Sequence, residues 1–507
     1  MAQTRTINRP RPGDELELSV DRLAFGGAGV ARLNGYVVFV TGAVPGDRVR
    51  ARVGRAKRAY AEARVLELLE PSPDRVAPRA EHPGAPWQVL PYARQLEVKQ
   101  AQVEEALRRL GQLRHFQLEP IIPAAQQWRY RNKLEYSFGA DPSGRLICGF
   151  HAPGRWDEIV EVRDCLLASE AANAARERVV EWCRAAGLTP YDRRSGRGLL
   201  RNLVVREGRA TGQIQLRLVV SDPASGLVPE SSGLVPDPAP DVPDATPGLV
   251  PDPAPDVPDA TPGPDATPVP AAEPAPQLDR DALARAAQPC AGLLLTRVRG
   301  VAETTAEGET ELLAGEPGLE EELGGLRIRI SPEAFFQTNT EMAEVLYRQA
   351  LALAELTGVE RVYDLYCGIG TIALLAAPRA AEVWGLELVE AAIADAIGNA
   401  RRNEVTNVHF FAGDARLALR ELTERAGRPE VIVVDPPRAG LSQKVVRRII
   451  DAAPRRLVYV SCNPTTLAPN AAQLVAAGYE LARVRPVDMF PQTPHIECVA
   501  EFVKIRA

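Results

Sequence analysis

The sequence predicts an α/β protein: a doubly wound, mostly parallel sheet, preceded by a small β-barrel and an intervening α+β region. Three observations carry this. From about residue 331, Val/Leu-rich runs alternate with helical patterns: Arg361–Tyr366, Glu382–Leu386, His409–Ala412, Val431–Asp435 and Arg456–Val460. The first run leads into Asp364-Leu365-Tyr366-Cys367-Gly368-Ile369-Gly370-Thr371, a glycine loop that opens a helix. Residues 14–70 instead show short runs (Leu16–Val20, Tyr36–Val40, Asp47–Val53, Ala61–Leu69) divided by glycine turns at Gly26-Gly27, Gly35, Gly42 and Gly46.

A chain of 507 residues that is 45% apolar is long for one domain and ordinary for a globular protein. It contains no run of 18 apolar residues, and Met1-Ala2-Gln3-Thr4-Arg5 lacks the apolar centre of a signal peptide. The seven cysteines are scattered and odd in number, which argues against a disulfide framework. The expectation is a cytoplasmic, monomeric enzyme with no membrane partner and no metal.

Net charge is −6, yet residues 221–279 hold eleven acids and no Lys or Arg. Without them the balance is 60 basic against 55 acidic residues, so acidity is no bar to nucleic acid. The barrel region makes that partner concrete. Between Arg48 and Arg64 the only acid is Glu62, among Arg48, Arg50, Arg52, Arg55, Lys57 and Arg58, with Tyr60 interleaved. Cationic strands suit a phosphate backbone, which needs charge and no sequence code.

Residues 94–111 read as a helix, with Leu96, Val103, Leu107 and Leu110 at helical spacing and Gly111 as the stop. Next, Trp128-Arg129-Tyr130-Arg131-Asn132-Lys133 interleaves aromatics with cations. Arg129, Arg131 and Lys133 are RNA-contact candidates; a core aromatic pair with a solvated cationic edge is the equal alternative. The segment Gly233–Pro247 repeats unchanged at 248–262, and proline-rich, acidic 221–279 reads as a disordered insertion. It separates Gln213–Val220 from Gly292–Val298, which are expected to pair as a hairpin with an expanded loop.

In the C-terminal region Gly368 and Gly370 let backbone approach a ligand closely. Glu387 ends the next strand, where an acid can bind ribose hydroxyls, and Asp414 after the third can meet an adenine edge. The loop lacks the three-glycine dinucleotide fingerprint, so S-adenosylmethionine fits better than NAD. Asp435-Pro436-Pro437-Arg438 ends the fourth strand, and Ser461-Cys462-Asn463-Pro464 the fifth. An Asp in place of an amide there suggests a carbon target rather than an exocyclic amine. Cys462 is the nucleophile candidate, and Glu497 in Pro494-His495-Ile496-Glu497 the base candidate, with His495 as alternative. These parts suit uracil C5, which becomes electron-rich once a thiolate adds at C6. Cytosine-5 methylation is disfavoured, since no Pro-Cys pair with a second cysteine after Thr is present. A non-catalytic RNA-binding factor is the remaining rival.

At these motifs the chain resembles the RNA (uracil-5-)-methyltransferase family, over nearly its whole length except 1–10 and 221–279. The resemblance implies a TRAM/OB-like barrel at 10–70, an α+β central RNA-binding domain at 71–93 and 124–330, and a class I (Rossmann-like) methyltransferase domain at 94–123 and 331–507. It implies that Gln337, Tyr366, Thr371, Glu387, Asp414 and Asp435 contact S-adenosylmethionine, with Cys462 as nucleophile and Glu497 as proton-abstracting base. The substrate it implies is RNA, ribosomal first and transfer RNA second. Ribosomal-RNA members often hold a [4Fe-4S] cluster through four cysteines. Here the corresponding positions are Val76, His82, Ala85 and Cys165, so no cluster is expected.

Overall fold

The structure, a computed structural model, describes residues 9–222, 278–300 and 308–505. Of the insertion expected to be disordered at 221–279, residues 223–277 lie outside the described residues, whereas its ends are ordered: Ser221 ends a strand and Asp279 caps a helix.

Strands β1 (Glu15–Leu23), β2 (Gly29–Leu33), β3 (Tyr36–Thr41), β4 (Arg48–Ala56) and β5 (Tyr60–Glu70) close into a barrel in the order β1-β2-β3-β5-β4. Alternation within β4 explains its orientation: Val49, Ala51 and Val53 fill the interior while Arg48, Arg50 and Arg52 face out. The five turn glycines expected from the sequence have φ between 87 and 94°, where a Cβ would be strained. Strand β2 was not anticipated, because Gly-Val-Ala-Arg-Leu between two glycine turns carries no alternation.

Helix α1 (Tyr92–Glu105) continues as a wider turn over Ala106–Leu110 and stops at Gly111. Its buried face is not the apolar one alone. Gln95, Lys99 and Gln102 are buried beside Val103, whereas Leu110 is exposed. Short β6 (Gln117–Leu118) then joins the edge of the C-terminal sheet.

The central sheet follows, with β7 (Lys133–Ala140), β8 (Leu146–His151), β9 (Ile159–Glu161), α2 (Glu170–Ala185), β10 (Leu200–Glu207), β11 (Ile214–Ser221), α3 (Arg280–Ala286), β12 (Gly292–Val298) and β13 (Glu309–Gly315). Its order is β13-β12-β11-β10-β7-β8-β9. Leu203, Val205, Leu216, Leu218, Leu293 and Leu295 pack one face of it onto α2 and α3. The expected hairpin is corrected here. β11 and β12 are neighbours but parallel, with Leu216 opposite Leu293. Helix α3 lies in the connection, and a crossover that returns the chain to its starting end permits only parallel pairing.

A hairpin of β14 (Leu319–Leu323) and β15 (Leu326–Ile330) leads to α4 (Thr340–Ala354), capped by Asn339. The last region alternates β16 (Arg361–Leu365), α5 (Thr371–Ala376), β17 (Glu382–Glu387), α6 (Glu390–Arg402), β18 (Val408–Ala412), α7 (Ala415–Ala426), β19 (Val431–Val434), α8 (Gln443–Ala452), β20 (Arg456–Ser461) and α9 (Pro464–Ala476). It ends in β21 (Tyr479–Val487) and β22 (Glu497–Lys504). The sheet order is β18-β17-β16-β19-β20-β22-β21-β6, with β16 to β20 parallel and β22 antiparallel to both neighbours. The winding reverses between β16 and β19, which opens a crevice at their carboxyl ends. Among the described residues, no helix is long and apolar enough to cross a membrane.

Candidate active site

Backbone geometry at the end of β16 prepares the first wall of that crevice. Tyr366 has φ 65° and Gly368 φ 53°, so the chain turns sharply before α5 begins at buried Thr371. Gly370 has φ 86°, and a Cβ there would lie 2.8 Å from the Phe410 ring. Glu387, at the tip of β17, accepts hydrogen bonds from the backbone N–H groups of Gly368 (3.2 Å), Leu388 (2.7 Å) and Val389 (3.0 Å). Those bonds fix the carboxylate over the loop. Asp414 caps α7 and pairs with Arg416, which holds its carboxyl below the usual range.

The second wall is acidic, and its acids lack cationic partners. Asp435 follows β19 and accepts a hydrogen bond from Gln337 at 3.4 Å. Burial pushes it up to about 7, and the Gln337 bond only partly offsets this. Asp364, inside β16, is fully buried, and neither of its oxygens has a hydrogen-bond partner of ordinary geometry. Burial, then Asp435, pushes its pKa far up.

Register brings the nucleophile and base candidates together. β20 and β22 run antiparallel with Ser461 opposite Cys498, so the next positions outward, Cys462 and Glu497, face each other across the ladder end. Cys462 is half-buried and Glu497 is 3% exposed with Oε2 unpartnered. Burial, then Glu497 and Asp435, pushes the Cys462 thiol up to about 12, while Arg438 pulls the other way. Burial, then Asp435, raises Glu497 well above an ordinary carboxyl. His495 is driven down to about 4 by burial and by Arg438, Arg131 and Lys99, so it is neutral at physiological pH. Cys367 and Cys498 are buried, and Cys498 donates its S–H to the Ser461 carbonyl at 3.6 Å, a packing role.

The loop carrying Glu497 is braced from α1. Lys99 Nζ donates to Asp488 Oδ1 at 2.6 Å and to the Phe490 carbonyl at 3.0 Å, with both charged groups fully buried. Tyr92 donates to Asp488 Oδ2 at 2.8 Å, and Gln95 exchanges two hydrogen bonds with Gln492. The barrel reaches the same place. Phe25 lies 6.0 Å from the Arg438 guanidinium, and the turn at Gly27 touches Pro494 and Trp87. Sequence reasoning missed Phe25, Asp364 and this brace. The one available signal was Gln95, Lys99 and Gln102 recurring at helical spacing, a polar stripe that only a polar partner allows to be buried.

The cationic candidates divide. Arg48 bonds Glu17 (2.9 Å) and Glu70 (2.6 Å), Arg50 bonds Glu67 (3.0 Å), and Arg52 bonds Glu15 (2.8 Å). Arg129 is clamped by Asp164 at 2.9 Å and Lys133 by Glu135 at 2.7 Å. Lys57 and Arg58 occupy the β4–β5 turn, where Lys57 lies 5.4 Å over the Tyr60 ring, with Arg55 just before them. Arg131 reaches the cleft, its guanidinium 5.6 Å over Phe490. At the positions aligned with cluster ligands, Val76 is exposed, Ala85 is buried, and His82 Nε2 meets Cys165 Sγ at 3.2 Å.

A mostly parallel sheet with a glycine loop, a strand-end acid and a thiol facing a carboxyl at its carboxyl edge, joined to a small barrel, fits the methyltransferase class of nucleic-acid-modifying proteins. A family model for tRNA (uracil-5-)-methyltransferases matches residues 324–504, and one for the TRAM domain matches 9–66. An uncharacterised RNA methyltransferase of Halalkalibacterium halodurans is 36% identical over 494 residues, covering 96% of each chain. One of Bacteroides thetaiotaomicron is 34% identical over 495 residues, covering 94% of this chain and 99% of its own. The crystal structure of Pyrococcus abyssi tRNA (uracil-54, C5)-methyltransferase in complex with S-adenosyl-L-homocysteine superposes with a TM-score of 0.70 at 25% identity, over 96% of this chain and 100% of that one. The chain belongs to the TRAM-bearing RNA (uracil-5-)-methyltransferase family.

Proposed function

We propose that this protein transfers a methyl group from S-adenosylmethionine to C5 of a uridine in RNA. The observation that carries the reading is the β20–β22 register, which sets Cys462 opposite Glu497 beside Asp435. The crevice suits the donor's chemistry. Glu387 is oriented for ribose hydroxyls, and a sulfonium or ammonium would draw the raised acids Asp435 and Asp364 toward their ionised forms, a charge that a pyrophosphate does not bring. When bound, the donor supplies an electrophilic methyl group. Gln337, Tyr366, Gly368, Gly370, Thr371, Glu387, Asp414 and Asp435 line or shape its place.

The Cys462 thiolate forms a bond to uracil C6, and the electron pair moves through C5 onto the ring carbonyl. C5 takes the methyl group. Glu497 removes the C5 proton, the C5–C6 double bond reforms and the C–S bond breaks. The Cys462 thiol stands at about 12 with the pull of Arg438 already included, so further positive charge in the cleft is needed to form the thiolate. Burial raises the Glu497 carboxyl, so positive charge in the cleft favours the ionised form that accepts a proton.

Lys57, Arg58 and Arg131 are the RNA contacts this reading favours, since Arg48, Arg50, Arg52, Arg129 and Lys133 already have carboxylate partners. No iron–sulfur cluster is proposed: two hydrocarbon side chains, a histidine and one thiol do not supply four thiolates. Ribosomal RNA was the expected substrate because of the barrel. Transfer RNA is the second reading, favoured by the Pyrococcus abyssi protein, which aligns over too much of this chain to leave the barrel out. Mass mapping of ribosomal and transfer RNA from a strain lacking this protein, with and without restored Cys462→Ala protein, tests the proposal. Loss of one 5-methyluridine that only wild-type protein restores is expected; restoration by the variant would sink the covalent route.

A further inference from the structure

We infer that a cavity on the face of the central sheet turned away from α2 is a second RNA site, one that takes a single unstacked base of the substrate outside the reaction centre. The inference rests on the proposed function. The cavity holds about 890 Å³, within the range of small-molecule pockets. Its floor is a polar row from three strands. Asn202 Nδ2 donates to Ser137 Oγ at 3.2 Å, and Ser137 Oγ lies 3.2 Å from His151 Nε2. Ser137 and Asn202 are more than nine-tenths buried, so their polar atoms are held in place rather than solvated. Its wall is Trp156, 45% exposed, with the Arg194 guanidinium 5.3 Å from the ring. Arg193 also lies over the ring, at 5.9 Å, and the exposed remainder of the indole is open to a further flat partner.

Charge decides the ligand class. Arg145 is bound by Asp141 and Glu161, and Arg194 by Asp157. Six acids against four arginines line the cavity, so its walls bring no surplus positive charge for a phosphate and offer a stacking plane above hydrogen-bonding groups. That combination suits an uncharged base and not a phosphate. The site is separate from the cleft. Asn132, just before β7, donates to the Gln337 carbonyl at 2.9 Å, and Ser137 is five residues further along, roughly 17 Å at strand rise. A strand of RNA entering the cleft would have to extend beyond the target nucleotide to fill it.

The test uses full-length protein and bulk ribosomal and transfer RNA from a strain lacking it. Trp156→Ala should weaken RNA binding about tenfold while turnover at saturating RNA is unchanged, and Trp156→Phe should restore affinity. Irradiating a complex with 5-iodouridine-substituted transcripts should cross-link the peptide around Trp156. Unchanged affinity in Trp156→Ala, a Phe variant as weak as Ala, or cross-links confined to the barrel and the C-terminal region would overturn the site. Failure of wild-type protein to methylate any of this RNA would instead overturn the proposed function.

Discussion

The barrel wall and the catalytic crevice treat charge in opposite ways. On the barrel, Arg48, Arg50 and Arg52 each meet a Glu on an adjoining strand, and all of these groups stay in water. In the crevice, Asp364, Asp435 and Glu497 are withdrawn from water with no cation bonded to any of them. Exposed pairs satisfy one another at little energetic consequence. Buried unpaired acids destabilise the fold, and persist only where a ligand or a reaction uses them. The difference marks where the molecule keeps its function, and it moves the RNA-contact expectation from the barrel strands to the β4–β5 turn.

The sharpest break of that comparison is chemical. Cys462→Ala is expected to abolish methyl transfer and leave RNA affinity largely intact; filter binding beside a tritiated-methyl assay reads both. Glu497→Gln comes next. Turnover should fall about 10²- to 10⁴-fold, with a cysteine-linked RNA adduct accumulating on denaturing gels. The same variant should be more stable than wild type at neutral pH. The folded pKa of Glu497 lies above its unfolded value of 4.5, so stability present below pH 4.5 is lost as pH rises toward the folded value, and the glutamine escapes this loss. Melting curves at pH 5 and pH 8 check it: a gain no larger at pH 8 than at pH 5 would refute the buried-acid account.

Lys99→Met sharpens the comparison from the other side, because here a buried acid does have its cation. Removing it strands Asp488 and should cost about 3–5 kcal/mol in denaturant unfolding. The smallest effects belong to the barrel. Arg50→Ala should leave the melting temperature and RNA affinity nearly unchanged. Replacing Lys57 and Arg58 together by Ala should weaken RNA binding uniformly and reduce the salt slope by about 1–2. Equal effects from the two changes would mean that the ion pairs on β4 open when RNA binds.

Much of this was legible without coordinates, and the failures share a cause. The five parallel strands were visible because each is a short, largely apolar run between helical patterns, including edge strand β18, which is only partly buried. Strand β2 was invisible because barrel closure, not its own pattern, makes it a strand. The parallel pairing of β11 and β12 was misread because 223–277 hid the crossover helix that follows it. No local pattern marks Lys99 for burial, and only contact with Asp488, 389 positions away, explains it.

By itself the sequence determined where the candidate residues fall: a thiol and acids placed at strand ends, and glycines where the chain must turn with positive φ. Local patterns suffice for that, since strand ends and tight turns are set by neighbouring residues. Tertiary structure alone decided which charges are already neutralised, which acids are dry, and that α1 and the barrel both press on the loop bearing Glu497. Those are properties of contacts between segments far apart in the chain, and no local pattern encodes them.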